Sequence, residues 1–318
     1  MENNIIFLSK SKLILALAFW SCFFTVLAQS EDKSYLKQFD PASKTGIDNF
    51  IPISKYGPVV TLSNLPEAIK NPTYYHSARF SNLALVNFPD ELFLFVNLEE
   101  IDISGNSLTK LPSRLNELKN LKALHVNKNL LTSLNTEITS CSMLEVLQIQ
   151  DNPLESISKE IEKVTTLKEL TIGGVSRNCT IPVEVWNLTN LIKLKLVNVN
   201  LTEIPPSVAG LKKLDELCLS SNSITEIPVE LYLLTNITYI NLGYNKLNVI
   251  PSSIKAFENL DYLGVYYNPV NKFPEEIGNL KKLSFLSCWG TSLPPAEIEK
   301  VKKKLPLTKV HDTETDLH

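Results

Sequence analysis

Apolar positions along the chain recur in a fixed frame. The stretch LEEIDISGNSLTKLPSRLNELKN begins at Leu98, and the same frame restarts at equal intervals at Leu121, Leu144 and Leu167. After a unit longer by a single position it resumes at Leu191, Leu214, Ile237, Leu260 and Leu283, and a degenerate earlier copy at Tyr75 brings the number of units to ten. In the copy from Leu214, Leu217 and Leu219 alternate with Glu216 and Cys218. That period of two predicts a short strand with its leucines turned inward. Asn222 follows where the chain must turn a corner, and an Asn amide can pair buried backbone groups that no strand or helix satisfies. Asn106, Asn129, Asn152, Asn245 and Asn268 hold the same place, whereas Val175 and Val199 stand there in two units. Pro228 ends the strand-side geometry, and the spacing of Leu231 and Leu234 suits a helical turn on the opposite side.

No such unit can stand alone. About seven buried apolar side chains, at roughly 1.5–3 kcal/mol each, do not offset the ordering of a whole coil at roughly 1–2 kcal/mol per residue. The coils must therefore stack, which predicts an α/β solenoid with one parallel sheet on its concave side. Both ends then need covers. LSNLPEAIKNP, within a capping half-repeat at 61–74, is expected to lay a helix over the first coil. At the other end PPAEIEKVKKKLP spaces Ile298, Val301 and Leu305 on one helical face, with acidic residues early and lysines late, as the helix dipole favours. The expected organisation is thus repeats over 75–293, a C-terminal cap helix over 294–310 and a polar tail over 311–318. Residues 29–60 read as a partly disordered lead-in.

The set Leu214, Leu217, Leu219, Asn222, Ile224, Ile227-Pro228, Leu231 and Leu234 resembles the leucine-rich repeat family, in its 23-residue class with a Leu-Pro step. The resemblance covers residues 75 to about 310. It implies a horseshoe with helical caps at both ends and a non-catalytic protein that recognises another protein on its concave face.

Residues 1–28 carry a different pattern. Lys10 and Lys12 precede an apolar run from Leu13 to Ala28, and Val26-Leu27-Ala28 places small or apolar residues before Gln29. This reads as a secretory signal, shorter than the roughly 20 residues a spanning helix needs. Phe19-Trp20-Ser21 before Cys22 does not fit the triplet that precedes a lipidated cysteine. The mature chain is therefore expected to be exported, whether periplasmic, cell-surface or secreted, with no stable transmembrane span. N-terminal sequencing of the exported protein is expected to start near Gln29 rather than at an acylated Cys22.

Charge narrows the partners. Lys+Arg of 31 against Asp+Glu of 34 gives a formal −3, so there is no basic field for nucleic-acid phosphates. No nucleophile, phosphate-loop or zinc-protease motif occurs, so no enzyme and no cofactor is expected. Cys141, Cys179, Cys218 and Cys288 lack the close spacing of a zinc site or redox pair. His125 is expected to face outward near Asp102 as a solvated surface pair.

The outward positions of the early strands, such as Glu100, Ala123, Gln148 and Thr171, form an ordinary mixed surface. The seventh to ninth full strands differ, because alternation turns Tyr239, Tyr244, Tyr262, Tyr266, Tyr267, Phe285 and Trp289 outward within touching distance. These seven are the candidate ligand-binding residues, since exposed Tyr and Trp clusters mark recognition surfaces. An aromatic ladder that merely packs the sheet under the cap is the alternative role. The ligand read from the patch is a protein, or alternatively a carbohydrate, which would make the protein a cell-surface glycan binder or adhesin.

Overall fold

The computed structural model describes residues 56–176 and 179–313. The signal, nearly all of the lead-in and the last residues of the tail lie outside the described residues.

Among the described residues twelve short strands form one parallel sheet. The first four are β1 (Val59–Thr61), β2 (Ser77–Arg79), β3 (Glu100–Asp102) and β4 (Ala123–His125). The sheet continues through β6 (Val146–Gln150), β8 (Glu169–Gly173), β9 (Lys193–Val197) and β10 (Glu216–Cys218). It ends with β11 (Tyr239–Asn241), β12 (Tyr262–Gly264), β13 (Phe285–Ser287) and β14 (Lys309–His311). Beside it, β5 (Ser133–Leu134) and β7 (Ser156–Ile157) make a separate two-stranded sheet. Every pairing in the central region is one repeat step, as in Glu216 with Tyr239, Tyr239 with Tyr262 and Tyr262 with Phe285. Equivalent residues of successive coils therefore stand side by side, roughly 4.8 Å apart. The sheet begins at Val59, inside the segment read as lead-in.

Opposite the strands each coil turns through a short 3-10 helix, such as Val229–Leu233 after Pro228. At three residues per turn, a 3-10 helix puts side chains three apart on the same side. Leu231 and Leu234 are so placed, and both are fully buried with Leu214, Leu217, Leu219 and Ile224.

The asparagines tie each coil to the one before it. Asn106 accepts hydrogen bonds on Oδ1 from the backbone N–H groups of Leu83 and Leu85 at 2.9 and 3.0 Å. Its Nδ2 donates to the carbonyls of Phe80 and Ile103, both at 2.8 Å. Asn129, Asn152, Asn222, Asn245 and Asn268 repeat the pattern. Where valines replace two rungs, backbone and a displaced amide take over. Asn200 donates to the carbonyls of Ser176 and Cys179, and Asn222 still reaches back to the N–H groups of Val199 and Leu201.

At the front a helical turn, Leu65–Ala68, buries Ala68. At the back the helix Pro295–Lys304 buries Val301 and is followed by buried Leu305. The helix stops short of residue 310 because Pro306 cannot continue it. The chain instead re-enters the sheet as β14, so His311, read as the start of a polar tail, is 1% exposed. Lys300 and Lys304 both pair with Glu275 of the repeat that begins at Leu260 and hold its carboxyl at about 2, well below the usual carboxylate range. A carboxyl depressed in the folded state contributes stability above its ordinary value of 4.5 and loses it as pH falls through the folded value. An NMR titration is expected to show Glu275 ionising near pH 2, below the other exposed carboxylates.

Cys141, Cys179, Cys218 and Cys288 are buried as free thiols. Desolvation raises all four, Cys141 to about 11 and Cys288 to about 12. Because the thiolate is the nucleophile, none of the four is expected to react with a thiol-reactive dye until denaturant is added, which a labelling time course reads directly. No helix among the described residues is long and apolar enough to cross a membrane.

Candidate ligand-binding face

Three outward rows run across the C-terminal strands. One carries Glu216, Tyr239, Tyr262, Phe285 and Lys309, each the register partner of the next. The second carries Cys218, Asn241, Gly264, Ser287 and His311. The third, one step further along each strand, carries Ser220, Gly243, Tyr266 and Trp289. The structure brings all seven predicted aromatics together. Tyr239 stacks on Tyr262 at 4.4 Å and 9°, and Tyr262 on Phe285 at 5.7 Å and 11°. Tyr266 stacks on Trp289 at 5.8 Å and 5°. Tyr244 stacks on Tyr267 at 4.4 Å and 20°, and these two set themselves edge-on to Tyr266 and Trp289 respectively.

The expectation that all seven face solvent is corrected. Tyr239, Tyr262 and Tyr266 are each 4% exposed, while Tyr244, Tyr267, Phe285 and Trp289 are half-buried. Two glycines explain how rings on an open face become floor. A Cβ at Gly243 would overlap the Tyr266 ring, and one at Gly264 would meet the Tyr262 hydroxyl at 2.9 Å. With no side chain at either place, the tyrosines settle onto the sheet, and Asn241 Nδ2 donates to the Tyr266 hydroxyl at 3.2 Å. Glycines at outward strand positions beside tyrosines are a signal legible in the sequence. Lys309 and His311 were missed for another reason: Lys309 was read as part of the cap helix and His311 as the start of the polar tail, whereas both lie in β14. Lys309 lies over the Phe285 ring at 5.7 Å, and His311 lies near both Phe285 and Trp289.

Tyr244 and Tyr267 have φ of +52° and +49°. They occupy the left-handed position before the turn asparagine, which other coils fill with Gly105, Lys128, Asp151, Gly174, Ser221 or Gly290. For a bulky residue this conformation costs roughly 1–2 kcal/mol. A stacked cross-strand pair returns roughly 0.2–1 kcal/mol. Each ring recovers part of that cost through its stack and its edge-on neighbour. Tyr244→Gly and Tyr267→Gly are each expected to leave Tm within a few degrees of wild type or above it, as thermal unfolding will show.

At the opposite end, His125 does not form the expected surface pair with Asp102. The two are register partners, but Asp102 Oδ1 accepts from the Ser104 N–H, and His125 Nε2 lies 3.4 Å from Glu100 Oε1. Glu100 and His125 are 1% and 4% exposed, and Ala123, the register partner of Glu100, is too small to stand between them. In the middle of the face Lys195 pairs with Glu216 at 3.0 Å and Lys193 with Glu169 at 3.4 Å. No three or more His, Cys, Asp or Glu gather to hold a metal among the described residues.

Comparisons place this geometry among known folds. The leucine rich repeat family models match residues 189–247 and 97–118. The plant peptide hormone receptor RGFR1, solved in complex with RGF2, is 28% identical over 80% of this chain and 42% of its own, with a TM-score of 0.63. The Arabidopsis receptor kinase HAESA, solved with the peptide hormone IDA and the co-receptor SERK1, is 26% identical over 69% of this chain and 38% of its own, with a TM-score of 0.61. InlJ from Listeria monocytogenes shares the fold at 21% identity, a TM-score of 0.57, and 77% and 55% coverage. The chain thus spans about half or less of the length of these three structures. No curated protein matches it by sequence. With its strands stacked one repeat apart, its asparagine ladder and these matches, the chain belongs to the leucine-rich repeat family.

Proposed function

We propose that this is a non-catalytic, exported protein that recognises a protein partner on the concave sheet, at the aromatic C-terminal third. The observation that carries this reading is the half-buried rim of Tyr244, Tyr267, Phe285 and Trp289 on a floor of Tyr239, Tyr262 and Tyr266. Two of the rim tyrosines hold a left-handed backbone. A rigid sheet presents such side chains in register without burying them on a partner of its own, and large aromatic anchors dominate interface energetics. The receptors RGFR1 and HAESA, solved with peptide hormones, support a polypeptide ligand, and the apolar run before Gln29 supports export.

A photo-crosslinking residue at position 285, compared with one at the exposed convex Val229, tests the face. Protein adducts from the native envelope are expected at 285 and not at 229. Adducts at 229 alone would overturn the assignment.

A further inference from the structure

The stacking geometry also decides what chemistry the rim accepts. A sugar binds aromatic residues through their open faces, with its C–H groups against the ring. Here Tyr262 has a ring on each side, Tyr266 is buried against Trp289, and Tyr244 and Tyr267 turn one face on each other. The floor rings offer no open face, being 4% exposed. Of the rim rings, Phe285 has one face on Tyr262 and Trp289 has one face on Tyr266.

Charge around the slab points the same way. Glu216 at the near end is neutralised by Lys195 at 3.0 Å. At the far end Lys309 is exposed over Phe285, and among the described residues no carboxylate pairs with it. The aromatic slab therefore ends in a cation that no carboxylate pairs among the described residues. Phe285 and Trp289 are four residues apart on one segment, roughly 13 Å at most, which an extended peptide spans in about four residues.

We propose that this rim takes an extended acidic peptide segment, with an apolar residue against Tyr267 and Trp289 and a carboxylate about four residues away at Lys309. The proposal rests on the concave-face reading above and narrows it to one ligand chemistry. The apolar residue covers what remains exposed of Trp289.

The test is selection of a displayed random-peptide library on the chain from Gln29 onward, followed by titration of the enriched synthetic peptides. Emission from Trp289 is the reporter, since Trp186 is buried away from the face and Trp20 falls before Gln29. Enriched sequences are expected to place Asp or Glu about four residues from an aliphatic or aromatic residue, and their affinity is expected to fall as salt is raised. Tyr267→Gly and Lys309→Gln should each weaken binding roughly tenfold or more. Both variants should fold, because Gly105, Gly174 and Gly290 already serve at the position of Tyr267 and Lys309 is exposed. Enrichment of basic or uncharged sequences, no enrichment at all, an unchanged affinity in Lys309→Gln, or binding of neutral oligosaccharides instead would overturn the proposal. If it fails while a crosslinker at 285 still captures protein, the concave-face reading stands with a different ligand; adducts at 229 alone remove both.

Discussion

Asn245→Ala is expected to lower stability by about 3 kcal/mol, whereas Asn248→Ala, three residues on, should stay within about 0.5 kcal/mol. The Asn245 side chain makes four hydrogen bonds. Oδ1 accepts from the Ile224 N–H at 2.9 Å, and Nδ2 donates to the carbonyls of Leu219, Leu242 and Gly243 at 2.9, 3.0 and 3.3 Å. Removing the amide leaves these backbone groups in a site that is 7% exposed, where water does not replace the side chain. An unpaired buried polar group costs roughly 1–3 kcal/mol, and two of these bonds cross between coils, so the loss falls on the interface that lets repeats stack. Calorimetry should show a fall in Tm of roughly 6–12 °C. Equal shifts for Asn245→Ala and exposed Asn248→Ala would mean that the ladder does not carry the stacking.

Gly243→Ala should be comparably severe, about 3 kcal/mol, although it adds only a methyl group. The new Cβ would overlap the Tyr266 ring, so the ring must leave its bed. In leaving, it gives up the bond from Asn241 and the stack on Trp289. Gly210→Ala is the control. Its Cβ would meet only Thr189 Cγ2 at 3.8 Å, and stability should change by less than about 0.5 kcal/mol. A double-mutant cycle separates ring displacement from backbone effects: in a Tyr266→Ala background, Gly243→Ala should cost little. A penalty that persists in that background would assign the glycine a conformational role unrelated to the tyrosine.

Both predictions depend on a frame that the spacing of leucines alone made legible. A residue at a given place in one coil meets its equivalents one repeat away on either side, so apolar period, turn asparagine and Leu-Pro step were sufficient to predict the strands, the sheet and the seven aromatics on one face. They were not sufficient to say how those aromatics stand. Alternation reports which side of a sheet a side chain leaves from, and is silent on whether a glycine on the neighbouring strand lets it lie down. Tyr266 settled over Gly243 and became floor, while Tyr267, at the left-handed turn position, remained half-exposed.

The ends and the single polar pairs follow the same division. Lysines late in the closing segment marked a helix, yet Pro306 ended it and the chain rejoined the sheet, carrying Lys309 and His311 to the aromatic slab. The register of His125 with Asp102 was as the frame requires, but the imidazole turned to Glu100 because Ala123 left the space open and Asp102 was held by its own strand. Sequence by itself determined the coil, its repeat and the face each residue occupies, since these depend on backbone periodicity and inward apolar burial. Tertiary structure decided exposure, ring orientation and charge pairing, since these depend on the size and direction of side chains that neighbouring coils place next to one another.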